Sequence, residues 1–564
     1  MASNLYPLVY KAGIKKDGTT FQPEYCTDGQ WVRFQHGRIS KMGGMFGFTS
    51  NPMGADYTYL RLFPQDDNKM LMIAAGPWHI YPIILDENFN SRFLNNSWYA
   101  VSSVDRRDQI LWQAAVVINN GKQYIVCMGA PILQDITQNT PSIYATWELG
   151  NEKARFTTSN YLDPTAKQAS DIKNNANLLN GGLCYSNPYL FFYGSNGIVQ
   201  YSRSDNPFSF EGGDSGTLII SSDKVIYGTP IRGGSNSPSL LFWTMSSVVR
   251  VINTGSEKVE FQIDVISKSS SIISTRCVVE YDGLFFWPGT DRFFVYNGVV
   301  QEMSNNTNLD YFFDNVDLDY RQKIFGIEQP LFGEIWWFYP EKMNAKGRDK
   351  SIPKGKNTRA IIYNKRENSW YDTAISREAG TFCDELGIFM TYGRLLVKTQ
   401  NVDADKDRFW IHEKGTVQEI EYYIADNTKQ PPILNKQPSI FSNIPSYIKL
   451  PTISWAAFNP GGQNDQNGQS SQSGKGIDRW VSLKRFEPDF IMSDPDDEMQ
   501  ITVNSKEYAQ SEERENITLP FTGKTEKLDF STQGRHITLT FTFNGKSSVE
   551  MGQCLLSLGI GDKR

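Results

Sequence analysis

Histidine is scarce in this chain and cysteine is never clustered. Among 564 residues there are four histidines, His36, His79, His412 and His536, and six widely spaced cysteines, Cys26, Cys127, Cys184, Cys277, Cys383 and Cys554. No C-x-x-C pair and no H-E-x-x-H spacing occurs, so the common zinc patterns are excluded and no metal or cofactor is expected. Thiols scattered in this way predict free, buried, inert cysteines in a protein made in a reducing compartment. Long apolar runs are also missing. Ala114 to Ile118 is typical of those present, far short of the ~18 residues that read as a membrane span. The opening MASNLYPLVYKAG has neither the charged start nor the apolar centre of a signal peptide. A soluble chain with no membrane insertion and no export signal is the expectation. Positive charge is short as well: the net charge is -6. A tight duplex binder needs a basic face that neutralises phosphates, and the chain as a whole does not offer one.

Aromatic residues and turn formers are abundant, with 34 Phe, 27 Tyr, 13 Trp, 45 Gly and 26 Pro. Short aromatic and β-branched runs bounded by Gly, Pro and Asn predict an all-β chain of antiparallel strands. Such runs begin at Leu71 (LMIAA), Tyr124 (YIVCM), Leu190 (LFFYG), Leu240 (LLFWT), Leu284 (LFFWP), Ile335 (IWWFYP) and Ile388 (IFMTY), at intervals of roughly 44 to 66 residues. Several are followed by a second strand pattern, at Gly197–Tyr201, Val248–Val251, Arg292–Tyr296 and Arg359–Tyr363. A repeat of this length with several strands per unit is the signature of a β-propeller. Seven runs predict seven blades, with six to eight compatible. The sequence divides into an N-terminal arm (1–30), the propeller (31–415) and a second C-terminal antiparallel β domain (416–564). The last is sandwich-like, with HITLTF alternation from His536 and a flexible Gly/Gln/Asn/Ser loop at 459–476. Asn305–Asp319 has apolar spacing compatible with a short helix.

No catalytic pattern in the sequence is complete. Gly213-Asp214-Ser215-Gly216 matches the surroundings of a serine-protease nucleophile, but no histidine has a matching context, so a turn is expected. Gly523-Lys524-Thr525 and Gly545-Lys546-Ser547 resemble the ends of phosphate-binding loops, yet Thr518 and Thr540 stand where the earlier glycine is required. The acidic run Asp489, Asp494, Asp496, Asp497 and Glu498 lacks the alternation and central glycine of a calcium loop. No repeated Ser-x-Asp-x-Gly-x-Thr-Trp boxes occur. A non-enzymatic protein is expected. One charge feature runs against the overall balance: the loop 341–357 carries Lys342, Lys346, Arg348, Lys350, Lys354 and Lys356 against Glu341 and Asp349. Loop tips of this kind are ordinarily just solvated. The sharper expectation is contact with an acidic partner or with DNA.

Five segments, in order, carry a resemblance: WVRFQHGRISKMGG (31–44), GIVQYSRSDNPFSF (197–210), GEIWWFYP with RAIIYNKRENSWYD (333–372), RFWIHEKG (408–415) and GRHITLTF (534–541). Together they resemble the tail hub and nozzle proteins of short-tailed bacteriophages, including the packaged-DNA stabilisation proteins. The resemblance implies a structural virion protein of the tail, made in the host cytoplasm. It would form a ring, a homohexamer, through which genomic DNA is retained and ejected. Its partners would be its own copies, the portal or adaptor, and tail fibre or needle proteins, with transient non-specific contact to genomic DNA. The competing readings are a propeller module that binds protein or glycan, and a tail-associated enzyme that degrades polysaccharide.

Overall fold

The computed structural model describes residues 4–18, 24–48, 57–65, 69–77, 79–87, 89, 91–93, 99–100, 110–131, 143–150, 157–158, 178–231, 239–255, 260–398, 406–421, 423–426, 433–436, 438–454 and 480–561. The loop expected at 459–476 lies outside them. The described chain is all-β, built from many mainly antiparallel sheets, with one short α-helix, Leu309–Asn315. That helix falls inside the segment whose spacing predicts one. Asp17 caps it from outside, its carboxylate accepting from the backbone N–H groups of Asp310 and Tyr311 at 3.0 and 2.7 Å. No helix among the described residues is long and apolar enough to cross a membrane.

Seven sheets follow one another along the chain, six of them antiparallel meanders with a strand order that follows the sequence. Their first strands are Tyr59–Pro64, Ile110–Asn119, Gly182–Ser186, Val225–Pro230, Val279–Tyr281, Phe325–Gln329 and Ala379–Cys383. Each of the seven apolar runs noted in the sequence falls in the second strand of its sheet, as in Met70–Ala75, Tyr189–Tyr193 and Glu334–Tyr339. Those strands are apolar on both faces because both faces are covered. In Glu334–Tyr339, Trp336 and Phe338 enter one core while Ile335, Trp337 and Tyr339 enter another. Successive sheets share a core in this way throughout, and the seventh packs on the first, with Met390 and Phe409 against Leu62 and Met72. Each buried aromatic ring removes ~150–250 Å² from water, which is why the chain is rich in them.

The seventh sheet is completed from the other end of the chain. Met45–Phe48 pairs antiparallel with Arg408–His412, and Gln418–Ile420 then adds in parallel. The Gly43-Gly44 pair before this strand has a steric reason. A Cβ on Gly43 would stand 2.3 Å from the Glu413 carboxylate, and one on Gly44 would stand 2.4 Å from the Val417 carbonyl oxygen.

Strand pairing divides the chain differently from the expected segments. The hairpin Val32–Gln35 and Arg38–Lys41, placed by sequence in the 31–415 segment, pairs through Arg38–Lys41 with Val549–Met551 near the C-terminus. Its turn is formed by His36 and Gly37, both at positive φ, which suits a tight hairpin. The expected N-terminal arm is likewise built into sheets. Asn4–Pro7 pairs with residues 555–558, and Asp28–Gln30 with Tyr447–Lys449. Gln418–Ile420 belongs to the seventh sheet, so pairing does not change at 416. Sequence alone could not show this because four-residue strands carry almost no pattern, and their partners lie hundreds of residues away. The C-terminal strands include Trp480–Glu487, Met499–Lys506, Leu528–Gly534 and His536–Thr542, the last where the alternation predicts one.

All six cysteines are free and buried. Burial pushes the Cys127 and Cys554 thiols up to about 12 and that of Cys277 up to about 11, which makes them poor nucleophiles. His412 is also buried, its Nε2 2.8 Å from Thr391 Oγ1. Burial, with Arg377 and Arg33 nearby, holds its pKa well below the ordinary imidazole value. The unfolded chain takes up this proton near pH 6.5 and the folded chain does not. Stability from this group is therefore complete above pH ~6.5 and falls as pH drops below it, by up to ~1.4 kcal/mol per unit. Urea denaturation should show a wild-type midpoint that declines from pH 6.5 to 5, and a shallower decline for His412→Gln. Equal slopes would exclude His412 as the source.

Candidate functional site

The first strands of all seven sheets face a common cavity of ≈ 1170 Å³. From the first to the seventh sheet they contribute Arg61, Gln113, Tyr185, Tyr227, Glu280, Glu328 and Thr381 to its wall. The first strand of the first sheet has one face on a core and one on the cavity, so polar and apolar residues alternate along it: Tyr59, Leu60, Arg61 and Leu62 run half-buried, buried, exposed, buried. Phe325–Gln329 alternates in the same way. In these two strands the period-two pattern ahead of the apolar run is a sequence signal that could have pointed to the cavity.

Hydrogen bonds fix the wall. Gln113 Oε1 accepts from Tyr193 OH at 2.8 Å and from the backbone N–H of Leu183 at 3.2 Å. Gly228 N–H in turn donates to Tyr193 OH at 2.9 Å. The second, third and fourth sheets are thus tied together where they meet the cavity. Arg276, just before the first strand of the fifth sheet, donates to the carbonyl oxygen of Thr58, just before the first strand of the first. Those two sheets are not neighbours in the series, so the guanidinium reaches from one side of the cavity to another. Burial pulls it down to about 10, with the Glu378 carboxylate acting in the opposite direction. Tyr59, on the same wall, is pushed up to about 12 by burial, with Arg61 opposing. Near one rim, Lys365 pairs with Asp282 at 2.7 Å, and Arg366 donates to the carbonyls of Leu331 and Pro330.

The basic loop occupies a different place, between the second and third strands of the sixth sheet. Much of its charge is engaged. Lys342 donates to the Asp314 carbonyl at 2.6 Å. Arg348 is buried and donates to the carbonyls of Ile352 and Pro353. Lys354 lies 3.5 Å from Asp319, and Lys356 lies 3.2 Å from the buried side chain of Asp407. Lys346 and Lys350 stand exposed. The six residues share one loop, but four of them help to build it. Composition could not reveal this because the acidic partners come from other segments.

The remaining motifs are held by local hydrogen bonds and ion pairs. Asp214 accepts from Tyr189 OH and from the Ser204 N–H, and Ser215 Oγ donates to the Gly212 carbonyl. The acidic run and the Gly545-Lys546-Ser547 turn hold each other, with Asp497 accepting from the Ser547 N–H at 2.8 Å. Lys524 pairs with Asp496 at 2.5 Å. Among the described residues no group of three or more His, Cys, Asp and Glu could hold a metal ion.

No protein-family model matches the sequence, and no curated protein matches it. Among solved structures, the chain is similar to Sqt1 of Saccharomyces cerevisiae (8% identity, TM-score 0.34, covering 62% of this chain and 83% of that one). It is also similar to the computationally designed Ika8 protein (9%, 0.31, 65% and 99%) and to an ancestral GH74 enzyme (9%, 0.36, 70% and 52%). At these values no activity or partner carries over.

Proposed function

We propose that this chain is a structural subunit of a short-tailed bacteriophage tail. In this reading its seven sheets are the blades of a β-propeller, joined to a sandwich made from both ends of the chain. Copies form a homohexameric ring, the hub or nozzle, through which genomic DNA is retained and ejected. The observation that carries the reading is the serial packing of seven sheets, the seventh completed by Met45–Phe48 and packed on the first. The five ordered sequence matches add to it. Both ends of the chain are paired into sheets, which suits a part that must hold its shape under load. The cavity within one subunit is bridged by Arg276, so DNA takes the space enclosed by the ring of subunits. An acidic subunit suits a passage in which DNA must slide rather than stick. Lys346 and Lys350 are the cations of the basic loop available for local contact with DNA or a neighbouring subunit.

Mass measurement and negative-stain imaging of the purified protein test the assembly. A six-fold ring, alone or on addition of portal and adaptor, is expected, and a chain that stays monomeric with both overturns the proposal. Reversing Lys346 and Lys350 to glutamate together should lower DNA retention in particles or weaken the ring. Unchanged retention and assembly would remove these lysines from the function.

A further inference from the structure

The cavity holds two cations whose charge the protein leaves uncompensated at close range. Among the described residues, Arg61 and Arg276 have no carboxylate at ion-pair distance; Arg61 bonds to the Ala114 carbonyl and the Tyr59 hydroxyl, and Arg276 to the Thr58 carbonyl. The Nε of Arg276 is buried and has no partner. Buried charges are ordinarily paired, because removing a guanidinium from water costs several kcal/mol. A guanidinium with a free donor in a wall that encloses open space is a place for an anion. The same wall carries Glu280 and Glu328, which disfavour a simple inorganic anion such as phosphate. Tyr59 and Tyr227 line it as well. One ligand chemistry satisfies all three features: a carboxylate for the arginines, hydroxyls that donate to the glutamates, and an apolar ring face for the tyrosines.

We propose that this cavity binds an acidic sugar, a uronate unit of a polysaccharide, with Arg61 and Arg276 holding its carboxylate and Glu280 and Glu328 accepting from its hydroxyls. The volume of ≈ 1170 Å³ is above the usual range of small-ligand pockets and admits a short oligosaccharide rather than a single unit. Tyr59 and Tyr227 stay protonated at neutral pH, since burial raises both, so each hydroxyl is a donor as well as an acceptor. The Glu378 carboxylate acts on Arg276 from beyond ion-pair range, and the ligand carboxylate supplies the close partner that it does not. The inference concerns one subunit and stands whether or not the chain assembles into a ring.

The test is calorimetric titration of the full chain with trigalacturonate, with neutral galactotriose and with inorganic phosphate. Trigalacturonate should bind one per chain, and galactotriose at least tenfold more weakly. Arg61→Gln, whose side chain is exposed in the cavity and whose loss should leave the fold intact, should weaken the acidic ligand about tenfold or more. So should Arg276→Gln; if that variant does not fold, Arg276→Lys, which keeps the charge without the fork, takes its place. Absence of trigalacturonate binding at millimolar concentration overturns the proposal. So does equal affinity of the wild type and both arginine variants, or binding of phosphate without binding of the uronate.

Discussion

Replacing Arg33 by alanine is expected to lower the unfolding free energy by about 3–5 kcal/mol, the range for breaking a buried ion pair from one side. Arg33 is 2% exposed and Glu334 is 0% exposed. The Arg33 Nε donates to Glu334 Oε1 at 2.8 Å, and its Nη2 lies 2.5 Å from Glu413 Oε1. Two further bonds, to Glu334 Oε2 and Glu413 Oε2, complete a fork on each carboxylate. The guanidinium lies 3.5 Å from the centre of the Phe332 ring, and its pKa is raised by the two glutamates against the effect of burial. Truncation leaves Glu334 in the core with only Tyr371 OH and Trp336 Nε1 as donors. The location multiplies the consequence. Arg33 belongs to the hairpin paired with the C-terminal strands, Glu334 to the sixth sheet, and Glu413 follows the third strand of the seventh. One side chain therefore fastens this hairpin to two sheets. Chemical denaturation followed by tryptophan fluorescence measures the loss. Adding Glu334→Gln and Glu413→Gln should recover much of it, because the orphaned charges are gone. A loss below about 1 kcal/mol for Arg33→Ala would mean that the pairs contribute no more than surface ones.

What could be read in advance follows from which contacts are local. Leu71, Tyr124, Leu190, Leu240, Leu284, Ile335 and Ile388 marked the second strand of each sheet because those strands are covered on both sides and must be apolar throughout. His536–Thr542 showed plain alternation because only one of its faces is buried. The stitching of the chain ends was hidden for the opposite reason. Met45–Phe48 is four residues long, and the partners of Arg33 lie 301 and 380 residues away, so no window of sequence contains both sides. The ion pairs of the basic loop were hidden in the same manner. Its six cations are adjacent in sequence, whereas Asp319 and Asp407, which pair with Lys354 and Lys356, are not. The cavity was legible in part, through the alternating strands Tyr59–Pro64 and Phe325–Gln329 that precede two of the apolar runs. That Arg61 and Arg276 have no carboxylate at ion-pair distance among the described residues was not, since that is a property of the folded arrangement alone.

Trp337→Ala is expected to cost about 3–5 kcal/mol, as for other large buried aromatics cut to alanine. The side chain is 0% exposed, stacks on Trp370 at 6.0 Å, packs on Phe293 at 5.3 Å and donates through Nε1 to the Cys277 carbonyl at 2.8 Å. Trp337→Phe should cost less, about 1–3 kcal/mol, chiefly for the unsatisfied carbonyl. The neighbouring residue gives a sharper test of the two-core arrangement. Trp336 points to the opposite face, against Phe338 and Phe389, and its Nε1 donates to the same Glu334 that Arg33 holds. Trp336 and Arg33 therefore share a partner, and Trp337 and Arg33 share none. Double-mutant cycles with Arg33→Lys should give a coupling of about 0.5–3 kcal/mol for Trp336→Phe and additivity within about 0.5 kcal/mol for Trp337→Phe. Two adjacent tryptophans with opposite coupling behaviour would follow from one strand lying between two separate cores. Equal coupling for both would show that the cores act as one.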